Sequence, residues 1–228
     1  MPLTRRQFNR AFLATLAVGG LAGTAAQAAV RTGTHPIPLV EGRDWSAITP
    51  PQPGEQAGKI EVLEFFSYGC PHCRDFNPLI HAWEKTLPKD VAFRRVPVTF
   101  GRAAWSMLAR LFYALEASGQ LARLDQAAFD AIHNKTNLYT EQAVLSWVAS
   151  QGVNSKAFRD TMYSFAVETH LARAEMLART YKVDGVPRIT VDGRYTVLGK
   201  AAKELNDLIS IADSLIGRAR EPRRSSRK

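Results

Sequence analysis

The sequence contains few cysteines and, beyond its N-terminal segment, no long hydrophobic run. Only two of its 228 residues are cysteine. A chain of this length with two cysteines is not a scaffold held together by several disulfides. After residue 28, no stretch is apolar over the roughly 20 residues that a membrane-spanning helix requires. These absences predict a globular domain that is stabilised by a packed core of its own.

Excess basic charge is also missing from the body of the chain, although the net charge is +9. Residues 1–28 carry three arginines and no acidic residue (+3), and residues 218–228 carry six basic residues and Glu221 (+5), which leaves +1 for residues 29–217. A nearly neutral body argues against a nucleic-acid-binding surface, so we expect no nucleic-acid partner. The composition of residues 218–228 predicts a disordered basic tail; contact with anionic lipid heads is a further hypothesis for it.

The two cysteines stand in the motif Cys70-Pro71-His72-Cys73, which directly follows the apolar run at residues 60–66. The segment from Pro71 onward can be helical, and proline is favoured at the first position of a helix. A strand that ends in C-x-x-C at a helix N-terminus is typical of a thioredoxin-like redox site. We therefore interpret the two cysteines as a pair that alternates between dithiol and disulfide.

The position of each cysteine predicts its chemistry. Cys70 lies at the helix N-terminus, where unpaired N–H groups and the helix dipole stabilise a thiolate, so its pKa should fall below the free value of about 8.5. A protonated His72 adds a second stabilising charge. Cys73, one turn further along, is placed to be the shielded partner. Pro71 and His72 are expected to tune the redox direction, because stabilising the Cys70 thiolate makes the disulfide a stronger oxidant.

Two other uses of a C-x-x-C pair are possible but less well supported. A structural disulfide that closes so short a loop removes little entropy from the unfolded chain. A tetrahedral zinc site would require two further ligands, and the histidines form no H-x(3–5)-H pair. We expect no metal. The histidines in question are His35, His72, His81, His133 and His170.

The N-terminus has the pattern of a secretory signal peptide. Its basic region holds Arg5, Arg6 and Arg10, a short apolar run covers residues 11–23, and Ala26-Gln27-Ala28 supplies an A-x-A cleavage site. We predict cleavage after Ala28 and a periplasmic location, where disulfides form and persist. The segment around the adjacent arginines also resembles a twin-arginine signal, except that Asn9 replaces the usual apolar residue; the export route stays open.

The order of the predicted elements indicates the fold. Residues 59–67 form a central strand, a helix begins at Pro71, and residues 91–98 form the next strand. From residue 103 the hydrophobic period becomes helical, residues 188–198 form a β-hairpin, and an amphipathic helix follows. This order predicts the α/β class, with a thioredoxin-like fold that carries an inserted all-helical subdomain.

The predicted organisation has five parts, listed here in chain order: a signal peptide (1–28), the first part of the thioredoxin-like core with the CPHC site (29–101), the helical insertion (102–168), the second part of the core with a cis-proline loop (169–217), and the disordered basic tail (218–228).

The chain resembles the DsbA family of periplasmic thiol:disulfide interchange proteins. The resemblance rests on residues 62–73, which contain the CPHC motif, and on Gly185-Val186-Pro187 with the hairpin after it. It implies that Cys70 is the exposed nucleophilic sulfur and Cys73 the buried one. It also implies a mixed disulfide between Cys70 and a substrate protein, reoxidation by a DsbB-type membrane quinone reductase, no cofactor on this chain, and a monomer.

The resemblance also implies roles for three residues outside the CPHC motif. Val186-Pro187 matches the family's cis-proline loop, whose backbone would bind an extended substrate; the alternative is an ordinary trans turn proline. Glu64 matches a glutamate beneath the active site that could handle the proton of Cys73. The alternative for Glu64 is partial exposure or pairing with a lysine, because a buried carboxylate needs a partner.

The expected function is donation of the Cys70–Cys73 disulfide to exported proteins that have free thiols. A thioredoxin-like reductase or isomerase is one alternative, although Pro71-His72 and the lack of an obvious dimerisation domain argue against it. A peptide-binding chaperone with inert cysteines is another alternative. A glutathione-linked relative is disfavoured by the second cysteine, Cys73.

Overall fold

The structure is a computed structural model that describes residues 38–225. The predicted signal peptide, its cleavage after Ala28 and the possible twin-arginine signal lie outside the described residues. None of the helices within 38–225 is long and apolar enough to cross a bilayer.

A five-stranded sheet with the order β1-β5-β4-β2-β3 forms the centre of the fold. Strand β2 pairs in parallel with β3 and antiparallel with β4, so β2 is an interior strand. All seven of its residues are buried, as expected for an apolar strand that is covered on both faces. The strands are β1 (Trp45–Ala47), β2 (Ile60–Phe66), β3 (Val91–Pro97), β4 (Arg188–Val191) and β5 (Tyr195–Val197).

Seven helices are present in the described part of the chain. Helix α1 makes the crossover between the parallel strands β2 and β3, and the four helices α2 to α5, together with α6, lie between β3 and β4 along the chain. The helices are α1 (Pro71–Glu84), α2 (Ala103–Ala117), α3 (Leu121–His133), α4 (Glu141–Ser150), α5 (Ser155–Met162), α6 (Phe165–Thr180) and α7 (Leu205–Ser225). The predicted thioredoxin-like fold with a helical insertion is confirmed.

The sheet separates two hydrophobic cores. One core packs α1 and α7 against the sheet through residues such as Phe76, Ile80 and Leu215. The other packs the inserted helices against the opposite face and the edge of the sheet, and it includes both cysteines. The predicted boundary between residues 168 and 169 falls inside α6, which is one continuous helix, so the insertion has no break in the chain at that point.

The prediction of a disordered tail from residue 218 is wrong for residues 218–225. Helix α7 continues to Ser225. Ala219 is fully buried, and Arg220 forms an ion pair with Asp90 at 2.7 Å. A buried apolar contact at Ala219 and an ion pair at the next residue, Arg220, stabilise this end of the helix, which the basic composition alone did not indicate.

Candidate active site

Cys70 and Cys73 lie at the start of α1, next to the carboxyl end of β2. Cys70 is the N-cap residue with extended backbone angles, Pro71 is the first helical residue, and the N–H of Arg74 donates to the Cys70 carbonyl. Pro71 fits this position because the N–H that it lacks would have no helical partner. Both cysteines are free thiols in this structure.

The two thiols differ in exposure, although less than the family resemblance implies. Cys73 is completely buried, whereas Cys70 keeps 7% of its surface exposed. The expectation of an openly exposed Cys70 is therefore corrected. Only a small part of the residue's surface faces solvent, and the loop before β4 lies against its sulfur. The order of accessibility is still the expected one, with Cys70 the more accessible sulfur.

The two thiols also differ in acidity. A hydrogen bond from the Cys73 thiol, backbone N–H groups of Cys73 and His72, and the charge of His72 lower the pKa of Cys70 to about 6, against the opposing effect of burial. Burial is the main cause that raises the pKa of Cys73 far above its ordinary value. At neutral pH the reduced pair therefore holds one thiolate, on Cys70, and one thiol, on Cys73.

The loop before β4 lies directly against the reactive sulfur. The Val186–Pro187 peptide bond is cis, so the alternative of an ordinary trans proline is wrong. The Sγ atom of Cys70 lies 3.3 Å from the carbonyl oxygen of Val186, within hydrogen-bond distance for a thiol donor. The backbone of residue 186 is therefore in direct contact with the Cys70 sulfur.

An open groove of about 460 Å³ adjoins this site. His72 and Pro187 line part of it, and the remaining wall comes from β4, the end of β5, the segment 198–204 and the first turn of α7. Leu198, Leu205 and Leu208 give part of it an apolar surface, and Lys203 adds charge. No local pattern in the sequence predicts this groove, because its walls come together only when the hairpin and α7 pack.

Glu64 is fully buried in β2, and its partner is an arginine. The Nε of Arg95 in β3 donates to Glu64 Oε2 at 2.7 Å. Strand pairing explains the contact, since Glu64 and Arg95 are register partners in the parallel ladder. The expected alternative of partial exposure or a lysine partner is therefore wrong. Burial raises the pKa of Glu64 despite the charge of Arg95, and the charge of Glu64 in turn raises the pKa of Cys73.

The Glu64–Arg95 pair continues into a hydrogen-bonded chain that the sequence did not reveal. Arg95 Nη1 donates to Asp125 Oδ2 at 2.8 Å, and Asp125 Oδ1 accepts a hydrogen bond from the Tyr68 hydroxyl at 2.6 Å. His81 Nε2 lies 2.9 Å from Asp125 Oδ2. The sequence contained one signal for this chain: Asp125 is an acidic residue among the buried positions of α3, which include Leu124 and Ala128.

The described residues offer no grouping of three or more histidine, cysteine, aspartate or glutamate side chains that could hold a metal ion. The site brings together two sulfur atoms of different acidity, a buried carboxyl whose charge acts on the inner one, and a groove beside the outer one.

Comparison with known proteins shows which family this chain is similar to. A sequence model for the DSBA-like thioredoxin domain matches residues 61–208. The thiol:disulfide interchange protein DsbA of Burkholderia cepacia is 42% identical over 178 residues, which is 77% of this chain and 81% of that protein. DsbA of Azotobacter vinelandii is 41% identical over 81% of this chain and 86% of that protein. The crystal structure of Pseudomonas aeruginosa DsbA superposes with a TM-score of 0.76 at 36% identity, covering 83% of this chain and 97% of that one.

Proposed function

The chain belongs to the DSBA-like thioredoxin domain family and is a thiol:disulfide oxidoreductase, and we propose that it donates its Cys70–Cys73 disulfide to exported proteins in the periplasm. The observation that carries this proposal is the placement of the two thiols: Cys70 is the N-cap of α1 and the more accessible sulfur, whereas Cys73 is completely buried. This placement accounts for the lowering of the pKa of Cys70 to about 6. Stabilising the Cys70 thiolate stabilises the reduced enzyme, which makes the oxidised enzyme a strong acceptor of electrons.

The first step is attack by a substrate thiolate on Sγ of Cys70. A bond forms between the two sulfurs, the Cys70–Cys73 bond breaks, and its electron pair goes to Sγ of Cys73. Attack at Cys70 is favoured because Cys73 has no exposed surface. The strongly raised pKa of Cys73 means that the sulfur released in this step takes up a proton. We propose that Glu64 handles this proton, since it is buried and its charge acts on Cys73.

The second step releases the oxidised substrate. Another thiolate of the substrate attacks the substrate sulfur of the mixed disulfide, and the electron pair of the breaking bond goes to Sγ of Cys70. A thiolate of low pKa is a good leaving group, so this step is fast at Cys70. The net result is one disulfide formed in the substrate and a reduced Cys70–Cys73 pair.

His72, Pro71, Val186 and Pro187 support these steps. His72 contributes its charge and its backbone N–H to the Cys70 thiolate, and Pro71 starts the helix that supplies the N–H groups. We propose that the backbone at Val186 and Pro187 binds an extended substrate, which their position against Cys70 supports. Recognition through backbone groups would explain a broad substrate range.

Reoxidation requires an electron acceptor, and we propose a DsbB-type membrane quinone reductase. The Cys70 thiolate would attack a disulfide of this partner and form a mixed disulfide, and Cys73 would then attack Cys70, which re-forms the Cys70–Cys73 bond and leaves the partner's two sulfurs reduced. The groove between Pro187 and Leu208 is the surface that we propose for a peptide segment of this partner, because part of it is apolar and it opens beside His72. We propose that the enzyme acts as a monomer. We also propose cleavage after Ala28, which N-terminal sequencing of the exported protein would check.

Trapping of the mixed disulfide tests the proposed mechanism. The Cys73→Ser variant, with Cys70 first converted to a mixed disulfide by Ellman's reagent, should accumulate a covalent complex with a reduced, unfolded substrate protein. A substrate thiolate displaces thionitrobenzoate from Cys70, and no Cys73 sulfur remains to release the substrate. The Cys70→Ser variant should give no such complex. An equal yield of complex from both variants, or activity of the doubly substituted protein in oxidative refolding, would contradict the mechanism and favour a chaperone.

A further inference from the structure

A chain of buried charges connects the active site to the protein surface. Asp125 is its centre, because one carboxylate accepts hydrogen bonds from Tyr68, Arg95 and His81. Three of the four groups are almost fully buried, whereas His81 is half-buried and also lies 3.4 Å from Glu84. From these contacts we infer that Asp125 and His81 are positioning residues that set the redox potential of the Cys70–Cys73 pair through Arg95 and Glu64.

Arg95 is the link between Asp125 and the cysteines. Its guanidinium group binds Glu64 through Nε and Asp125 through Nη1, and it stacks 4.0 Å from the centre of the Phe66 ring. Glu64 acts on Cys73, as its charge raises the pKa of that thiol. Because Arg95 is shared between the two carboxylates, a change in charge at Asp125 alters the field that the Arg95–Glu64 pair exerts beneath α1.

The sign of the effect follows from the charges that face His81. Glu84 faces it from its own helix, Asp125 from α3 and Arg95 from β3, while Glu64 and Tyr68 lie behind Arg95 and Asp125. Hydrogen bonds to Asp125 and Glu84 raise the pKa of His81 to about 9, so it is positively charged at pH 7. Removing the negative charge of Asp125 makes the field beneath α1 more positive, whereas removing the positive charge of His81 makes it more negative.

These two changes should shift the redox equilibrium in opposite directions. Asp125→Asn should stabilise the Cys70 thiolate and make the enzyme more oxidising. His81→Gln should destabilise the thiolate and make the enzyme less oxidising, by a smaller factor because His81 is partly exposed to solvent. A purely structural role for the chain would lower stability in both variants without opposite shifts in redox equilibrium.

The experiment measures the equilibrium constant of the Cys70–Cys73 pair with glutathione at pH 7, together with the pH titration of the Cys70 thiolate by its ultraviolet absorbance. The variants are Asp125→Asn, His81→Gln and the double variant, and the control is Asp130→Asn, an exposed aspartate on the same helix. We expect a shift of about threefold or more for Asp125→Asn, the size of effect that a unit charge produces across a protein interior. The double variant should return towards the wild-type value, and the control should not shift.

Unchanged equilibrium constants and thiolate titrations in both single variants, or shifts of the same sign, would overturn the inference. If Asp125→Asn does not fold, the half-exposed His81→Gln variant still tests the predicted direction. The inference rests on the proposed function, but the two fail separately. The wild-type potential tests whether the enzyme is an oxidant, and the shifts relative to wild type test the role of the charge chain.

Discussion

The acid stability of this protein should depend on Asp125. Burial opposes ionisation of this carboxyl, yet hydrogen bonds from His81 and Tyr68 and the charge of Arg95 lower its pKa from 3.8 to about 2. A carboxyl whose pKa is lower in the folded state stabilises the fold above its unfolded pKa, and this contribution is lost as the pH falls through the folded pKa. The difference corresponds to about 2 kcal/mol at 1.36 kcal/mol for each pKa unit.

The contribution can be isolated by comparing two variants of α3 with the wild type. The free energy of unfolding of each reduced protein is measured by urea denaturation between pH 2 and pH 6. The advantage of the wild type over Asp125→Asn should be constant above about pH 5 and shrink by about 2 kcal/mol towards pH 2. The exposed Asp130→Asn variant should show a small and nearly constant difference. An advantage over Asp125→Asn that does not change with pH would refute the proposed ionisation of Asp125 in the buried chain.

Three other predictions concern the thiol, one turn and the C-terminus. Alkylation of the reduced enzyme by iodoacetamide should occur at Cys70, with a rate that reaches half its maximum near pH 6. Gly193→Ala should destabilise the fold by about 2 kcal/mol more than Gly58→Ala in urea denaturation. Both glycines have positive φ. A Cβ at Gly193 would lie 1.9 Å from the Gln52 carbonyl oxygen, whereas a Cβ at Gly58 would meet nothing within 4 Å. Deletion of residues 218–228 should lower the melting temperature, because it removes the buried end of α7.

Specific results would contradict each of these predictions. A half-maximal alkylation rate near pH 8.5 would show an unperturbed thiol, the free value being about 8.5. Equal effects of the two glycine substitutions would mean that the turn at Gly193 moves away from Gln52 without cost. A melting temperature unchanged by deletion of residues 218–228 would support the original prediction of a disordered tail. Deletion of residues 226–228 alone is the matched control.

The part of the site that lies on contiguous sequence could be predicted from the sequence. The apolar run before Cys70 indicated β2, and Pro71 indicated the start of α1, because strand burial and helix initiation depend on local residue types. The hairpin turn at Asp192-Gly193 was predictable for the same reason, and both residues have the positive φ that such a turn requires. The family's CPHC motif then supplied the chemistry.

The part of the site that depends on packing could not be predicted. Arg95, Asp125 and His81 come from β3, α3 and α1, and no local spacing connects residues 30 and 44 positions apart. The end of α7 was missed for a related reason. The basic composition of the last residues indicates disorder, and only the three-dimensional structure shows that Arg220 meets Asp90 and that Ala219 is buried.

The most direct test of the central claim is the redox equilibrium of Cys70 and Cys73 against glutathione buffers at pH 7. We expect an oxidising potential close to the reference value for DsbA, about −120 mV, because the Cys70 thiolate is strongly stabilised in the reduced enzyme. A potential close to that of thioredoxin, about −270 mV, would contradict disulfide donation. It would keep the fold and the two cysteines but reverse the direction of electron flow.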